Sequence, residues 1–353
     1  MTISIIIKAL NEEDRIASAI EHAMQAARPH GGEVILADSG STDKTITIAQ
    51  NYPITIVQLT DPRDQRCGTG PELGYRHANH PFIAITDGDM ELSTDFVHSA
   101  LSFLRANRKY GGVSGTIDEK SLDQLEYQRR AQRQPKDMQA GDVDRLNGGD
   151  VFRRSAVKET GYLTDRNLHA YEEYDLALRF RHAEWKLARL PETFVQHYGH
   201  RTNPYRLLLR RLTSGYLYGV GEVTRAHITT ERRGKLLRDL REVWLWSAII
   251  AKWLFLLAVA FVAPSISTAA LMIAVLLLAP IPIMAWRYKS LSTGVYAVCA
   301  WHLHAYGFLR GLLAPRRAPR AQIDHRIIKA ANQPHTNTAT TPDTETQDEA
   351  KAG

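Results

Sequence analysis

The sequence predicts an α/β fold in which a mostly parallel sheet with flanking helices precedes a C-terminal transmembrane helical hairpin. Two observations carry this prediction. Short apolar runs alternate with segments of helical periodicity over residues 3–104, a rhythm typical of parallel strands joined by right-handed crossovers. No Asp, Glu, Lys or Arg stands between Trp253 and Trp286, and this run is longer than the ~20 residues with which one helix crosses a bilayer.

The strands of the first half are short and continuously apolar, as expected of strands that are buried on both faces. Helices are predicted between them from apolar residues at helical spacing. Ser93 is a suitable cap for one helix, and the acidic segment 11–14 is suited to open another near its positive end. The predicted strands are 3–7, 34–37, 54–59, 82–86 and 112–117, with further helices at 121–133 (polar) and 171–187 (amphipathic).

The long apolar run is predicted to form two spans, because Pro264 interrupts it. We place them at 243–263 and 267–286. Lys252 lies inside the first span, where a charge is costly unless it snorkels or pairs. Basic residues precede the first span and follow the second, so the positive-inside rule puts both flanks in the cytoplasm. A buried hairpin of a soluble protein is the alternative.

The segments around the hairpin carry weaker signals. Trp244, Trp246 and Trp286 suit membrane interfaces. Asn203 with the following proline begins a basic amphipathic helix, which either lies on the membrane surface or packs as an ordinary surface helix. Residues 293–314 are predicted to be interfacial or re-entrant, with a third span as the alternative.

The net charge of +6 is compatible with an anionic membrane face, an anionic substrate or nucleic acid. Arginine-rich stretches flank the apolar segments and no nucleic-acid motif occurs, so the membrane interpretation is favoured and nucleic acid is not an expected partner. The two cysteines, Cys67 and Cys299, stand in very different contexts, which argues against a disulfide framework.

Acidic and polar clusters follow three of the predicted strands. They are Asn11 with Glu12, Asp38, and the triplet Asp87-Gly88-Asp89. Ligands in open parallel sheets bind beyond the carboxyl ends of the strands, so these clusters are expected to meet in one crevice. Two carboxylates on a short turn suit a hard divalent cation shared with substrate phosphates.

Five segments together resemble the family 2 inverting glycosyltransferases, which have the GT-A fold with its Rossmann-like sheet. The resemblance runs from Ile3 to about Leu190. The segments are the first strand with its Asn-Glu loop (4–13), the nucleotide-binding segment (38–43), the metal motif (87–89), the acceptor-side loop (148–154) and the acidic catalytic motif (172–176).

The resemblance implies a role for each matching residue. The nucleotide-sugar would be bound by Asn11, Glu12, Asp38, Asp87, Gly148 and Gly149, and Asp38 would accept a hydrogen bond from the base. Asp87 and Asp89 would hold the metal, Mg²⁺ or Mn²⁺. Glu173, beside Glu172, would deprotonate the acceptor hydroxyl as general base. His197 and His200 follow the catalytic motif, and either one is a candidate for the metal or the donor phosphates.

This chain departs from the family pattern at several positions. Ser39 replaces a second Asp, and Glu173 stands where the family often has Asp. The Gln-x-x-Arg-Trp motif of processive synthases is not found after the acidic motif, which favours transfer of single sugars. A processive polysaccharide synthase, a sugar-phosphate nucleotidyltransferase and a non-catalytic nucleotide-binding scaffold are the alternatives.

The expected protein is a multi-pass enzyme of the cell (inner) membrane that faces the cytoplasm. Its partners would be a nucleotide-sugar donor, a lipid-linked or saccharide acceptor of surface polysaccharide or glycolipid synthesis, and membrane lipids. Four regions are predicted: a catalytic domain at 1–200, basic amphipathic linker helices at 201–242, a transmembrane or interfacial region at 243–314, and a basic and then disordered cytoplasmic tail at 315–353.

Overall fold

The structure, a computed structural model, describes residues 1–119, 138–147, 149–197 and 203–331. Ten strands within these residues form one sheet. In chain order they are β1 (Ile3–Ala9), β2 (Glu33–Asp38), β3 (Thr55–Leu59), β4 (Phe82–Asp87), β5 (Met90–Leu92), β6 (Tyr110–Glu119), β7 (Gly141–Val143), β8 (Asp150–Arg153), β9 (Lys186–His197) and β10 (His325–Lys329).

The sheet has the order β10-β3-β2-β1-β4-β8-β6-β9-β5, and β7 also pairs with β9. The four central neighbours β3, β2, β1 and β4 are parallel. Strands β8 and β10 join this group in antiparallel orientation. The predicted α/β class is therefore confirmed, as a mixed sheet with a parallel centre.

Helices cover both faces of the sheet and produce a core on each side. One core joins the sheet to the helices Ile16–Ala27 and Thr94–Ala106, and it includes Ile5, Ile20 and Phe96. The opposite core lies under the helices Thr69–His77, Arg154–Thr160 and Glu172–His182. Ser93 caps its helix as predicted, since Ser93 Oγ accepts a hydrogen bond from Phe96 N–H at 3.2 Å.

Two helix boundaries differ from the predictions. The first helix begins at Ile16 rather than in the acidic segment, which forms a turn between β1 and the helix. The predicted helix 171–187 ends at His182, because Glu184 adopts a left-handed conformation (φ 62°) and Trp185 N–H donates to Phe180 O at 2.9 Å. This Schellman-type ending turns the chain into β9. The predicted helix 121–133 lies outside the described residues.

A third core connects the sheet domain to the helices that follow it. Asn203 Oδ1 accepts from Tyr205 N–H at 3.0 Å and caps the helix Pro204–Thr213 as predicted. The next elements are the 3-10 turn Tyr216–Tyr218 and the helices Gly219–His227 and Arg233–Asp239. Apolar residues of these elements and of the apolar hairpin pack on Leu178 of the helix Glu172–His182. The described part of the predicted linker, residues 203–242, thus packs against the helix Glu172–His182.

Two helices are long and apolar enough to cross a membrane, Arg241–Val262 and Ile266–Tyr288. The second consists of Ile266–Leu278 and Pro280–Tyr288. Large apolar side chains near their ends are open to solvent, including Phe261 at 82% and Trp286 at 84%. Trp246 was expected at an interface, but it is buried and stacks on His304 with ring centroids 5.1 Å apart.

Residues Leu291–Leu313 form one unbroken helix, so the expectation of a re-entrant segment is wrong. The helix approaches Gly219–His227 so closely that a Cβ at Gly311 would lie 2.1 Å from Tyr218 O. It also supplies His302, whose Nε2 is 3.4 Å from Lys252 Nζ. The lysine of the first candidate span is therefore paired with a side chain of the protein.

The chain returns to the sheet after this helix. Residues 315–331 were expected to belong to a tail, but β10 pairs antiparallel with β3. Arg316 Nη2 lies 2.9 Å from Asp165 Oδ2, and Arg317 Nη1 lies 3.3 Å from Asp64 Oδ2. This part of the predicted tail is an edge of the folded domain, because its arginines find buried carboxylates there. The disorder predicted beyond about residue 330 falls largely outside the described residues.

A buried ionic network holds the helix Glu172–His182 to the helix Gly219–His227. Arg179 Nε donates to Asp175 Oδ2 at 2.9 Å, and His227 Nε2 lies 2.6 Å from Asp175 Oδ1. Arg232 Nε donates to His227 Nδ1, so the Nε2 hydrogen of His227 points at the carboxylate. Burial opposes ionisation, but Arg179 and His227 outweigh it and lower the pKa of Asp175 to about 2.

We expect Asp175→Asn to lower the free energy of unfolding by about 3–5 kcal/mol, because it leaves the buried Arg179 without its counter-charge. Since the pKa of Asp175 is lower in the folded chain, its contribution is complete above the ordinary value of 3.8 and is lost as the pH falls toward 2. Denaturant unfolding in detergent between pH 7 and about pH 2 measures both effects.

Asp144→Asn is the matched control. Asp144 also faces an arginine, with Oδ1 3.4 Å from Arg181 Nη1, but its side chain is 87% exposed. An exposed pair is worth roughly 0–1 kcal/mol. Equal losses in the two variants would contradict a special role for the buried network.

Candidate active site

The carboxyl ends of β1, β2 and β4 bring the predicted polar clusters to one edge of the sheet. Lys8 on β1 is in register with Asp87 on β4, and Ala9 is in register with Asp38 on β2. Gly88 N–H donates to Lys8 O at 2.9 Å, and Ser39 N–H donates to Ala9 O at 2.8 Å. The turns after all three strands are thus tied to the end of β1, as the sequence predicted.

Asp38 organises the turn after β2. Its side chain is 0% exposed. Asp38 Oδ1 accepts from Gly40 N–H and Ser41 N–H, both at 2.9 Å, and from Gln58 Nε2 at 2.8 Å, while Oδ2 accepts from Ser41 Oγ. The carboxylate is engaged by its own surroundings, so this geometry favours a positioning role over the predicted direct contact with a base.

The Asn11-Glu12 turn is joined to the Asp38 turn by hydrogen bonds. Asn11 has a left-handed backbone (φ 57°), a conformation that asparagine tolerates better than most residues. Asn11 N–H donates to Ser41 Oγ, and Thr42 N–H donates to Asn11 Oδ1, both at 2.8 Å. Glu12 N–H donates to Thr45 Oγ1 at 2.8 Å. The two turns therefore form one rigid wall of the crevice.

Lys8 lies at the centre of the acidic cluster. Its Nζ is 3.0 Å from Asp87 Oδ1 and 3.7 Å from Glu172 Oε1. Burial lowers the pKa of Lys8, but the carboxylates, Asp87 first, outweigh it and hold that pKa well above its ordinary value. Lys8 is therefore a permanent cation within the cluster.

Glu12, Asp87 and Asp89 form a crowded group of carboxylates. Burial, followed by the charges of Asp89 and Asp87, raises the pKa of Glu12 to about 7. His197, at the end of β9, has its Nε2 3.4 Å from Asp89 Oδ2. His200 lies outside the described residues.

The described residues contain no group of three or more His, Cys, Asp or Glu side chains already arranged around one point as a metal site. Mg²⁺ and Mn²⁺ commonly take only one or two carboxylates and share their remaining positions with substrate phosphates and water. Such a cation would relieve the repulsion among these carboxylates, which contributes to the raised pKa of Glu12. The residues present therefore fit a cation shared with a substrate, and they do not form a closed protein cage.

The helix Glu172–His182 points its N-terminus at the crevice. Tyr171 precedes it in a left-handed conformation (φ 70°), and its first turn holds Glu172, Glu173 and Asp175. Acidic residues are stabilised at this end by the helix dipole. Glu172 is buried and faces Lys8. Glu173 is half-buried and lines two spaces, one on each side of it.

The inner space is an enclosed cavity of about 10 Å³, enough for one water molecule. It is lined by Lys8, Asp150, Glu172 and Glu173 among others. The outer space, here called the outer groove, has a volume of about 460 Å³. The outer groove is lined by Arg145, Leu146, Asn147, Tyr171, Glu173, Tyr174, Tyr216, Leu217, Val220, Glu242, Trp246 and His304.

Gly149 sets the position of Asp150 beside Glu173. Gly149 has φ 111°, and a Cβ there would lie 2.1 Å from the Phe194 ring, so no other residue fits. Asp150 is 1% exposed. Burial first, and then the charge of Glu173, raises the pKa of Asp150 well above its ordinary value. Gly148, predicted to bind the nucleotide-sugar, lies outside the described residues.

Cys67 lies close to the same cluster. Burial, and then the charge of Glu172, raises the pKa of its thiol to about 12. The thiol is therefore neutral at physiological pH, and because the thiolate is the reactive form of cysteine, Cys67 is no candidate for a nucleophile.

Sequence reasoning missed two residues of the site and left a third unassigned. Lys8 lies in the segment 4–13 but was given no role of its own, although a lone charge in a buried strand is itself a signal. Asp150 was quoted in the acceptor-side loop but was not named as a site residue. His197 was left as one of two candidates, because only the pairing of β5 with β9 brings it to Asp89.

We expect Glu12→Gln to raise the unfolding temperature at pH 8 in EDTA by roughly 2–4 °C. The pKa of Glu12 is higher in the folded chain, so its contribution to stability is present below about pH 4.5 and is lost as the pH rises through about 7. The gain should therefore vanish near pH 4.5. Differential scanning calorimetry in detergent at both pH values measures it.

At pH 8, Mn²⁺ or Mg²⁺ should raise the unfolding temperature of the native chain by more than that of the Glu12→Gln variant. The variant already lacks the repulsion that the cation relieves. The exposed neighbour Glu13 provides the control Glu13→Gln. A gain at pH 8 that is equal in the two variants would show that the crowding of Glu12 is not its cause.

The chain was compared with protein families and solved structures. Residues 4–161 match the family described as Glycosyl transferase family 2. A 4,4'-diaponeurosporenoate glycosyltransferase of Staphylococcus aureus (strain bovine RF122 / ET3-1) is 33% identical over 117 residues, which are 32% of this chain and 31% of that protein. The protein of the same name from strain USA300 is 33% identical over 116 residues, 32% of this chain and 30% of its own length. The chain thus matches about a third of the length of these relatives.

Among solved structures, the mannosyltransferase PcManGT from Pyrobaculum calidifontis, in complex with GDP-Man and Mn²⁺, superposes with a TM-score of 0.55. The identity is 18%, over 88% of this chain and 87% of that one, a likeness that concerns the fold. Residues 4–161 therefore form a family 2 glycosyltransferase domain, and the chain has the GT-A fold.

Proposed function

We propose that this protein transfers a single sugar from a nucleotide-sugar donor to a hydroxyl of a membrane-associated, lipid-linked acceptor, with inversion at the anomeric carbon. One observation carries the proposal. Lys8, Asp87, Asp89 and Glu12 meet at the carboxyl edge of the parallel strands, beside the half-buried Glu173. In a family 2 domain this arrangement offers cationic and metal-binding groups for a diphosphate and a base for a hydroxyl.

The donor would lie across the wall formed by the Asn11 and Asp38 turns. Their hydrogen bonds to each other make the wall rigid, so little ordering is required when the nucleotide binds. Asp87 follows on the neighbouring strand, where the ribose and diphosphate would be placed. The solved relative of the same fold is in complex with GDP-Man, which supports a nucleotide-sugar as the donor class.

Asp87 and Asp89 would hold a divalent cation, with His197 and Glu12 beside them. When bound, the cation neutralises charge on the diphosphate. The Mn²⁺ in the complex of the related fold supports this class of ion. Lys8 adds a fixed positive charge on the opposite side of Asp87, and it would face the leaving diphosphate.

Glu173 would act as the general base. It borders both the inner cavity near Lys8 and the outer groove, so a hydroxyl arriving through the groove meets it first. The acceptor oxygen gives its proton to Glu173 and forms a bond to the anomeric carbon. The bond from that carbon to the diphosphate oxygen breaks, and the nucleoside diphosphate leaves from the opposite face.

The outer groove supports a membrane-associated acceptor. It runs from Glu173 to Trp246 and His304, and Trp246 lies in the first candidate span. A saccharide on a lipid carrier would enter from this side while its chain stays in the bilayer. A relative is named 4,4'-diaponeurosporenoate glycosyltransferase. The test therefore also includes an apolar glycosyl acceptor.

We expect metal-dependent release of one nucleoside diphosphate from one nucleotide-sugar of a panel, in detergent, with Mn²⁺ or Mg²⁺ and not with EDTA. Asp89→Ala should abolish this dependence. Glu173→Gln should lower transfer by about 10²–10⁴-fold, the usual contribution of a general base, while donor binding by calorimetry stays unchanged.

Asp144→Asn serves as the control, because Asp144 is exposed and outside the crevice. Binding of a donor without turnover, across polyprenyl-linked, apolar and soluble saccharide acceptors, would favour the non-catalytic scaffold. Products that carry many added sugars would favour a processive synthase. No binding of any nucleotide-sugar or nucleoside diphosphate would contradict the proposed function.

We also propose that the hairpin spans the membrane with both flanks in the cytoplasm. A cysteine introduced at Ser267, in a chain whose own cysteines are replaced, should react with an impermeant maleimide on intact cells. A cysteine at Asp14, exposed in the sheet domain, should react only after permeabilisation. Labelling of both positions on intact cells, or of neither, would contradict this orientation.

A further inference from the structure

Strand β10, which follows the apolar hairpin in the chain, places the side chain of Arg326 next to the part of the sheet that carries Asp38. Asp38 on β2 is in register with Gln58 on β3, and Gln58 is in register with Arg326 on β10. Side chains at facing positions of neighbouring strands lie on the same side of the sheet. Three polar side chains from three strands therefore form one row.

The row is continuously hydrogen-bonded. Arg326 donates to Gln58 Oε1 from Nε at 2.9 Å and from Nη2 at 2.5 Å. Gln58 Nε2 donates to Asp38 Oδ1 at 2.8 Å. An arginine can only donate and a carboxylate can only accept, so one orientation of the Gln58 amide satisfies both neighbours. Arg326 therefore fixes the direction in which this amide points.

Burial makes that orientation matter. Gln58 is 5% exposed and Asp38 is 0% exposed, whereas Arg326 is exposed. If the amide turned over, its oxygen would face the carboxylate of Asp38, and two acceptors would meet in a site without water. An unsatisfied buried polar group is costly. Arg326 and Asp38 therefore hold the amide from its two ends, and loss of Arg326 removes one of these two constraints.

Asp38 connects the row to the rigid wall that the Asn11 and Asp38 turns form. It holds Gly40 and Ser41 by their N–H groups, and Ser41 Oγ in turn accepts from Asn11 N–H. The row thus begins on a strand that the chain reaches only after its apolar hairpin. It ends at the two turns assigned to the donor.

We propose that Arg326 is a positioning residue for the donor nucleotide, and that β10 completes the donor site. This inference rests on the proposed function, because it assigns the Asp38 and Asn11 turns to the donor. Arg326 acts through Gln58 and Asp38, so it governs donor affinity and not the chemical step. The segment after the membrane helices is thereby part of the nucleotide-binding half of the enzyme.

The test is Arg326→Gln in the full-length chain in detergent. We expect the dissociation constant of the cognate nucleoside diphosphate, measured by calorimetry, to rise roughly tenfold, as for the loss of a hydrogen bond to a charged group. KM for the donor should rise by a similar factor while kcat and KM for the acceptor stay close to native.

Lys329→Met is the matched control on the same strand. Lys329 Nζ donates to Gln50 O at 2.8 Å and to Tyr52 O at 2.7 Å. It thus anchors β10 as Arg326 does, but it does not touch Gln58. We expect native nucleotide affinity in this variant, even where its unfolding temperature falls. Equal weakening of nucleotide binding in both variants would mean that the strand only stabilises the fold, and would overturn the proposal.

A double-mutant cycle tests the row itself. Gln58→Met removes the amide, so Arg326→Gln in that background should weaken nucleotide binding no further. Additive losses would overturn the relay through Gln58, and native affinity in Arg326→Gln would overturn the positioning role. If the native chain binds none of the nucleoside diphosphates, the proposed function fails first and the inference fails with it.

Discussion

The ion pair between Lys8 and Asp87 is the interaction on which the arrangement of the site depends. The strands β1 and β4 are parallel and buried, so a charge on either one needs a partner at the same height, and the register supplies it. Lys8 also faces Glu172 at 3.7 Å. The Lys8 cation therefore holds together carboxylates that would otherwise repel each other. The neighbouring Glu173 lines the outer groove.

The helix that carries Glu173 is also the connection to the helices after residue 203, which include the two candidate spans. Its buried face belongs to two cores, one under the sheet and one shared with the helices after residue 203. Asp175 adds a buried hydrogen bond to His227. Because Glu173, the outer groove and the first candidate span share this packing, the apolar hairpin is joined directly to the candidate site.

The donor side is built differently, from backbone turns and not from a helix. Asn11 and Asp38 are held by hydrogen bonds to each other's turns, and β10 closes the sheet beside them. Short turns that satisfy their own polar groups are rigid, and this suits the recognition of a nucleotide. The apolar helices thus separate two stretches of chain that pair in one sheet.

The sequence by itself determined the α/β class, the parallel centre and the convergence of Glu12, Asp38 and Asp87. These follow from local properties: buried strands read as apolar runs, and parallel strands present their carboxyl ends at one edge. Only the tertiary structure decided that Asp38 is engaged within its own turn, that His197 reaches Asp89 and that Arg326 joins the row at Gln58. The first is a local contact that depends on the backbone conformation of the turn. The other two connect residues far apart in the chain, and strand register, which a single sequence does not specify, sets them.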